Sequence, residues 1–181
     1  MKKILLILLC AFTAFCFAAC GGNENEGKIK QPDQIDTAAL LGKLINGFDV
    51  GAGEKYCSEP FENAYCFDDD ILAGKYGDLV SDYPDPETLV RYCAFFSDEP
   101  YGPEFGVFVF KTEADANDMQ KYAENRIAAL KRNAKNYPSV DTSLIDNAFF
   151  KARGCVFYYC ALNDAENLFE KTVLDAVSES E

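Results

Sequence analysis

The sequence predicts an α+β fold: a two-layer domain with an antiparallel sheet of about four strands, in the order β-β-α-β-β-α, helices on one face, and one further helix ahead of it. Three observations predict this. Residues 88–97 and 104–111 are β-branched and aromatic runs, and residues 148–152 and 155–162 repeat the arrangement. Each pair is followed by a stretch whose apolar residues recur three and four apart, the spacing of one helix face. The links inside each pair are short, which favours antiparallel pairing, and helices with a single apolar stripe cover one face of such a sheet.

The chain opens on Lys2-Lys3 and an uncharged run from Ile4 to Ala19, the length of an export signal's apolar core and too short to span a bilayer comfortably. Ala18-Ala19 are the small residues such a signal needs before its cut. Cys20 follows them directly, with polar Gly21-Gly22-Asn23-Glu24 behind. This order resembles the lipobox of bacterial lipoproteins, in which the cysteine thiol receives a diacylglycerol and becomes the first residue of the mature chain; Phe17 departs from the usual leucine three positions earlier. Cys10 and Cys16 follow bulky Leu9 and Phe15, so neither suits the cut. Residues 1–19 are therefore expected to be a lipoprotein signal peptide. Residues 20–35 are expected to be the lipidated Cys20 and a flexible linker, because "GGNENEGKIKQPDQI" is almost wholly polar. Two acyl chains anchor firmly, each buried methylene contributing about 0.8 kcal/mol.

A single globular domain is expected over 36–178. Asp36 caps a first helix that places Leu41, Leu44, Ile45 and Phe48 on one side. Residues 49–66, rich in Gly, Pro and acids, read as a loop, and 67–77 as a short helix capped by one of Asp68 to Asp70 and ending near Gly77. Pro84-Asp85-Pro86 must be a turn or extended. After the first strand pair, Thr112 opens a long helix with Asp115 as its capping-box partner, an apolar stripe from Ala116 through Ile127 to Tyr137, and Pro138 as its stop. The second pair turns at Arg153-Gly154, where glycine accepts positive φ. Asn163 and Glu166 are expected to cap a last helix with Ala165, Leu168, Phe169, Val173 and Ala176 inward.

The block from Glu104 to Leu162, with "EFGVFVFK" leading into a long helix that ends near "YP", then "NAFFKARG" opening a hairpin, resembles an uncharacterised domain found in small lipoproteins of clostridia and related Firmicutes. "LAGKYG" at 72–77 is similar to that family's "LYG" segment, and the likeness covers roughly residues 68–165. It is loosest at Arg153-Gly154-Cys155 and between Gly77 and Pro86. The family's function is unknown, so the resemblance carries no catalytic residue across.

Composition narrows the function. Removing residues 1–19 leaves 162 residues with 15 basic and 30 acidic side chains, a surface that repels phosphate backbones and anionic headgroups, so no nucleic-acid partner is expected. There is no histidine, hence neither the commonest general base nor the commonest metal ligand, and no cofactor is expected. Asp68, Asp69 and Asp70 are the metal candidates, as hard oxygen ligands for calcium. "DDDILAG" lacks the alternating ligands of a calcium loop, however, and reads first as a helix start. Of the five cysteines after Cys20, Cys57 and Cys66 are the expected disulfide, nine residues apart in a loop-like stretch of an exported chain.

Pleating sends Phe108 and Phe110 to one face and Val107 and Val109 to the other, and Phe157 and Tyr159 oppose Val156 and Tyr158. Both faces are apolar, whereas one layer of helices covers only one. Phe108, Phe110, Phe157 and Tyr159 are thus the candidate binding face, to be met by the N-terminal segment, an envelope protein, a second copy or a ligand. The expected protein is a lipoprotein held by Cys20 on the outer face of the cytoplasmic membrane, acting as a non-catalytic binding or protein-interaction module of the bacterial cell envelope. The alternative is an extracytoplasmic carboxylate-dependent hydrolase of cell-wall or glycan material.

Overall fold

The computed structural model describes residues 28–77 and 83–179. The expected signal peptide, Cys20 and the tether up to residue 27 lie outside the described residues. Five α-helices are described, α1 (Thr37–Gly47), α2 (Asp69–Tyr76), α3 (Glu113–Ala134), α4 (Ser143–Asp146) and α5 (Glu170–Val177). Six strands accompany them, β1 (Gly53–Cys57), β2 (Ala64–Tyr65), β3 (Leu89–Ser97), β4 (Glu104–Phe110), β5 (Phe149–Arg153) and β6 (Val156–Ala161).

The helix starts follow local chemistry. Asp36 accepts the Ala39 N–H at 2.7 Å, and Asp68 accepts that of Ile71 at 2.8 Å, each relieving an unpaired first-turn donor. Thr112 Oγ1 accepts from Asp115 N at 3.2 Å, the N-cap half of a capping box, and the Asp115 carboxylate accepts from the Thr112 hydroxyl at 2.6 Å.

The α+β class is as expected, but the sheet is larger and mixed. Its order is β2-β1-β3-β4-β6-β5, with β1 and β2 parallel and every other neighbour antiparallel. The four expected strands form β3-β4-β6-β5, the two hairpins joining through β4 and β6. The extra pair arises where a loop was expected: β1 is built on "GEKYC", whose residues gain ladder partners along the edge of β3. At the outer edge β2 has only two residues, which limits unpaired backbone there. Gly106 sits mid-strand in β4 because a Cβ there would lie 2.5 Å from the Phe108 ring and 2.8 Å from that of Tyr159.

Helices cover both faces, so the domain has three layers instead of two. One core unites Leu40, Leu44 and Val173 from α1 and α5 with Phe95, Val107 and Tyr158 of the sheet. The other unites α2, α3 and α4, through Leu72, Met119, Ile127 and Ile145, with the opposite sheet face. Phe108, Phe110, Phe157 and Tyr159 belong to this second core and are at most 2 % exposed. The candidate binding face is therefore corrected: the long helix α3 and its neighbours cover it, while α1 and α5 cover the valine face.

Other boundaries move for identifiable reasons. The tether was expected to reach residue 35, yet Ile35 is 1 % exposed and Ile29 pairs with Ser178. Backbone bonds Lys30 N to Val177 O and Glu179 N to Lys28 O close a clasp between the two ends. Helix α3 stops at Ala134, and Tyr137, expected on its stripe, is exposed. A π-helical turn at Ala165–Phe169 precedes α5; Phe169 and Val173 point inward as expected, Ala176 packs on the same core and Val177 joins it, while Leu168 is exposed. Leu168 N bonds Asp164 O, and the α-helix proper begins only at Glu170, with Phe169 at its N-cap position and no side-chain cap there. In the β5–β6 turn Gly154 has φ of 55°, as its place required.

Candidate functional site

A cleft of about 940 Å³ opens between the C-terminal end of α2 and the middle of α3, lined by Lys75, Arg126, Arg132, Asn125, Asn133 and Leu130 among others. Its position follows from the second core: Leu72 and Tyr76 pin α2 to the sheet, and Tyr122, Ala123 and Ile127 do the same for α3. Arg126 lies beside that buried stripe, with its side chain only 16 % exposed.

Such a charge needs partners, because a buried ion without them is costly. Glu104, the first residue of β4, supplies two. Arg126 Nε donates to its Oε1 at 2.9 Å and Nη2 to its Oε2 at 2.7 Å, a bidentate pair. Arg126 Nη1 donates to the Lys75 carbonyl at 3.1 Å, satisfying one of the last acceptors of α2. Tyr159 donates to Glu104 Oε1 at 3.2 Å, and the Tyr76 and Tyr159 hydroxyls are 3.0 Å apart. The second charge at the cleft is Lys75, whose ammonium contacts Glu54 at 2.7 Å and lies 4.4 Å from the centre of the Phe96 ring. Arg126 sits 4.6 Å from that ring as well, so two cations share one aromatic surface. Arg132, exposed at the rim, has no carboxylate or hydrogen-bond partner among the described residues.

Electrostatics agree with the geometry. Burial alone would lower the Arg126 pKa, but the Glu104 carboxylate outweighs it and holds the guanidinium charged. Burial pushes the Tyr76 and Tyr159 phenols upward, and the charge of Glu104 raises both as well. Both phenols therefore stay neutral in the fold above about pH 10, where they would ionise in the unfolded chain. The unfolded state then binds fewer protons, so stability falls as pH rises, by up to about 1.4 kcal/mol per pH unit for each phenol. An alkaline titration is expected to show two tyrosines whose phenolate absorbance appears only with loss of the folded circular dichroism signal.

A second concavity, about 490 Å³, lies beside the 58–63 loop. Two glutamates line it: Glu59 is committed to structure, pairing with Arg91 and accepting from the N–H and Oγ1 of Thr37 at 2.8 and 2.9 Å, and Glu62 is exposed. Asp68 is engaged as the α2 cap, Asp69 and Asp70 are exposed in its first turn, and no metal-binding group of three acids or cysteines occurs among the described residues. The five described cysteines are all unbonded, Cys57 and Cys66 included.

Sequence reasoning placed Tyr159 on an aromatic face but missed Lys75, Glu104 and Arg126. The available signal was Arg126 directly preceding Ile127 of the apolar stripe, an arginine too close to the core to be merely solvated. Comparison of the chain with family models, curated proteins and solved structures finds no match.

Proposed function

We propose that this protein is a lipid-anchored, extracytoplasmic binding module of the bacterial cell envelope, and that the cleft between α2 and α3 takes a small anionic ligand. The observation that carries the binding reading is the lining itself: Lys75, Arg126 and Arg132 line the cleft, Lys75 and Arg126 already paired with Glu54 and Glu104 and Arg132 unpaired among the described residues, and no described Asp or Glu lines the wall, in a chain of 30 acidic and 17 basic side chains. Acids elsewhere on the surface repel anions, so a local concentration of guanidinium and ammonium groups with residual N–H donors selects for them. Arg126 uses three of its five N–H donors on the protein, and Arg132 uses none on described residues. Asn125 and Asn133 add neutral donors to the same wall.

The anchor rests on the order of Lys2-Lys3, the apolar run, Ala18-Ala19 and Cys20. Likeness to the clostridial lipoprotein domain is consistent with it. Among the described residues no helix is long and apolar enough to cross a membrane.

Calorimetric titration with inorganic phosphate, compared between wild type and Arg132→Gln, tests the cleft. Loss of one charge-assisted contact is expected to weaken binding by about tenfold or more; equal affinities, or none in either protein, reject the anion reading. Intact-mass spectrometry of the membrane fraction tests the anchor, with a mass of residues 20–181 plus a diacylglycerol expected and its loss expected in Cys20→Ala. An uncleaved or unmodified chain rejects the anchor.

A further inference from the structure

We propose that Cys57 and Cys93 form a disulfide across β1 and β3. The two residues are register partners in these antiparallel strands. Their backbone bonds fix the type of pairing: Ser58 N donates to Tyr92 O at 3.0 Å, and at the other end of the ladder Asp98 N donates to Ala52 O at 3.0 Å. These bonds flank the Gly53, Lys55 and Cys57 positions, so Cys57 and Cys93 are a non-hydrogen-bonded pair, with Cα atoms about 4.5 Å apart and side chains at their closest approach. That spacing falls inside the window of about 4.4–6.8 Å that disulfides occupy. Both side chains lie on the same sheet face, in the core beneath α1, at 1 % and 0 % exposure.

Cys66, the partner expected from sequence, is placed otherwise. Its thiol donates to the backbone carbonyl of Cys57 at 3.6 Å and lies beside the Tyr92 hydroxyl, whose ring packs on the opposite core. The Cys57 thiol instead lies 3.8 Å from Thr37 Oγ1 of α1. Cys66 thus meets β1 at the Cys57 carbonyl and beside Tyr92, whereas the Cys57 and Cys93 side chains are register partners that enter one core together.

Closure needs an oxidant, here a low-molecular-weight disulfide such as oxidised glutathione. One cysteine thiolate attacks the donor's S–S bond and expels one donor thiolate; the second thiolate then attacks the protein sulfur of the mixed disulfide and expels the other. Two thiol protons pass to solvent or to the departing thiolates, and the donor takes both electrons. Burial raises both thiol pKa values in the folded chain, so exchange belongs to the folding stage, before α1 closes over the strands. The bond encloses the segment that carries β2 and α2, and so fastens the α2 wall of the cleft to the central sheet. It occurs in the cell only if the chain is exported, as proposed above, but the geometry is independent of that.

The full chain, solubilised in detergent and refolded in oxidised and reduced glutathione, is to be alkylated and peptide-mapped without reduction. A Cys57–Cys93 linked peptide is expected in the wild type and in Cys66→Ser, with reductant lowering the melting temperature by roughly 5–15 °C. A Cys57–Cys66 link, or alkylation of both Cys57 and Cys93 in the oxidised buffer, overturns the proposal. Mapping protein taken from the membrane fraction then addresses export separately: a link formed in glutathione but absent there leaves the pairing intact and counts against the extracytoplasmic reading.

Discussion

Arg126→Ala is expected to destabilise the fold by about 3–5 kcal/mol, because it removes one half of a pair and leaves the other charged and enclosed. Glu104, with a side chain 6 % exposed, would keep only the Tyr159 hydroxyl as a partner. The loss extends to the C-terminal end of α2, where the Lys75 carbonyl forfeits its donor, and to the Phe96 ring, which loses one of its two cations. For a domain of this size the melting temperature should fall on the order of 10 °C. The pair itself is not where the net stability lies. A double replacement by apolar residues of similar volume, Glu104→Leu with Arg126→Met, is expected to recover most of the loss, since desolvating two charges consumes most of their attraction. Urea unfolding of the two variants and wild type checks both statements; a double variant as unstable as Arg126→Ala would show that the hydrogen bonds, and not the stranded charge, set the cost.

Phe108→Ala is expected to cost a further class of energy, about 3–5 kcal/mol from lost burial and the cavity left behind. Its ring packs edge-on against Tyr76 at 5.5 Å and near-parallel to Phe67 at 6.2 Å between centroids, and it is fully enclosed. The experiment separates two roles for the same residue. On a docking face, truncation would leave the isolated protein within about 0.5 kcal/mol of wild type. In the core beneath α3 it cannot, so chemical denaturation of the isolated protein decides between them.

Much of the fold could be read locally, and the exceptions share a cause. Asp36 and the Thr112–Asp115 pair announced their helices because capping is a contact between residues three apart. The alternation through Val107, Phe108, Val109 and Phe110 assigned each side chain to its face because strand geometry has period two. Apolar residues on both faces also implied two coverings; the N-terminal segment supplies one of them, through α1, but on the valine face instead of the aromatic one. What failed depended on distant partners. "GEKYC" has little strand propensity of its own and becomes β1 by pairing with β3. The last helix keeps Phe169 and Val173 inward as expected, and of its described stripe only Leu168 turns outward, beside a π-helical turn that no periodicity displays before it is seen. The cleft required Glu104, Arg126 and Tyr159 to converge from a strand, a helix and a second strand, and sequence spacing between such residues carries no information about that meeting.

The clasp that joins Lys28–Lys30 to Val177–Glu179 fixes a leash length. Chain entry and exit leave the body side by side, with Glu179 N only 2.7 Å from Lys28 O. Eight peptide units separate Cys20 from Lys28, which at full extension reach about 28 Å. If Cys20 carries the lipid proposed above, the pole that carries both ends would stand no farther from the headgroups than roughly the thickness of the bilayer's own hydrocarbon core. Under that anchor, a reporter inserted behind Glu179 would be carried at the membrane-proximal end, beside the chain's entry.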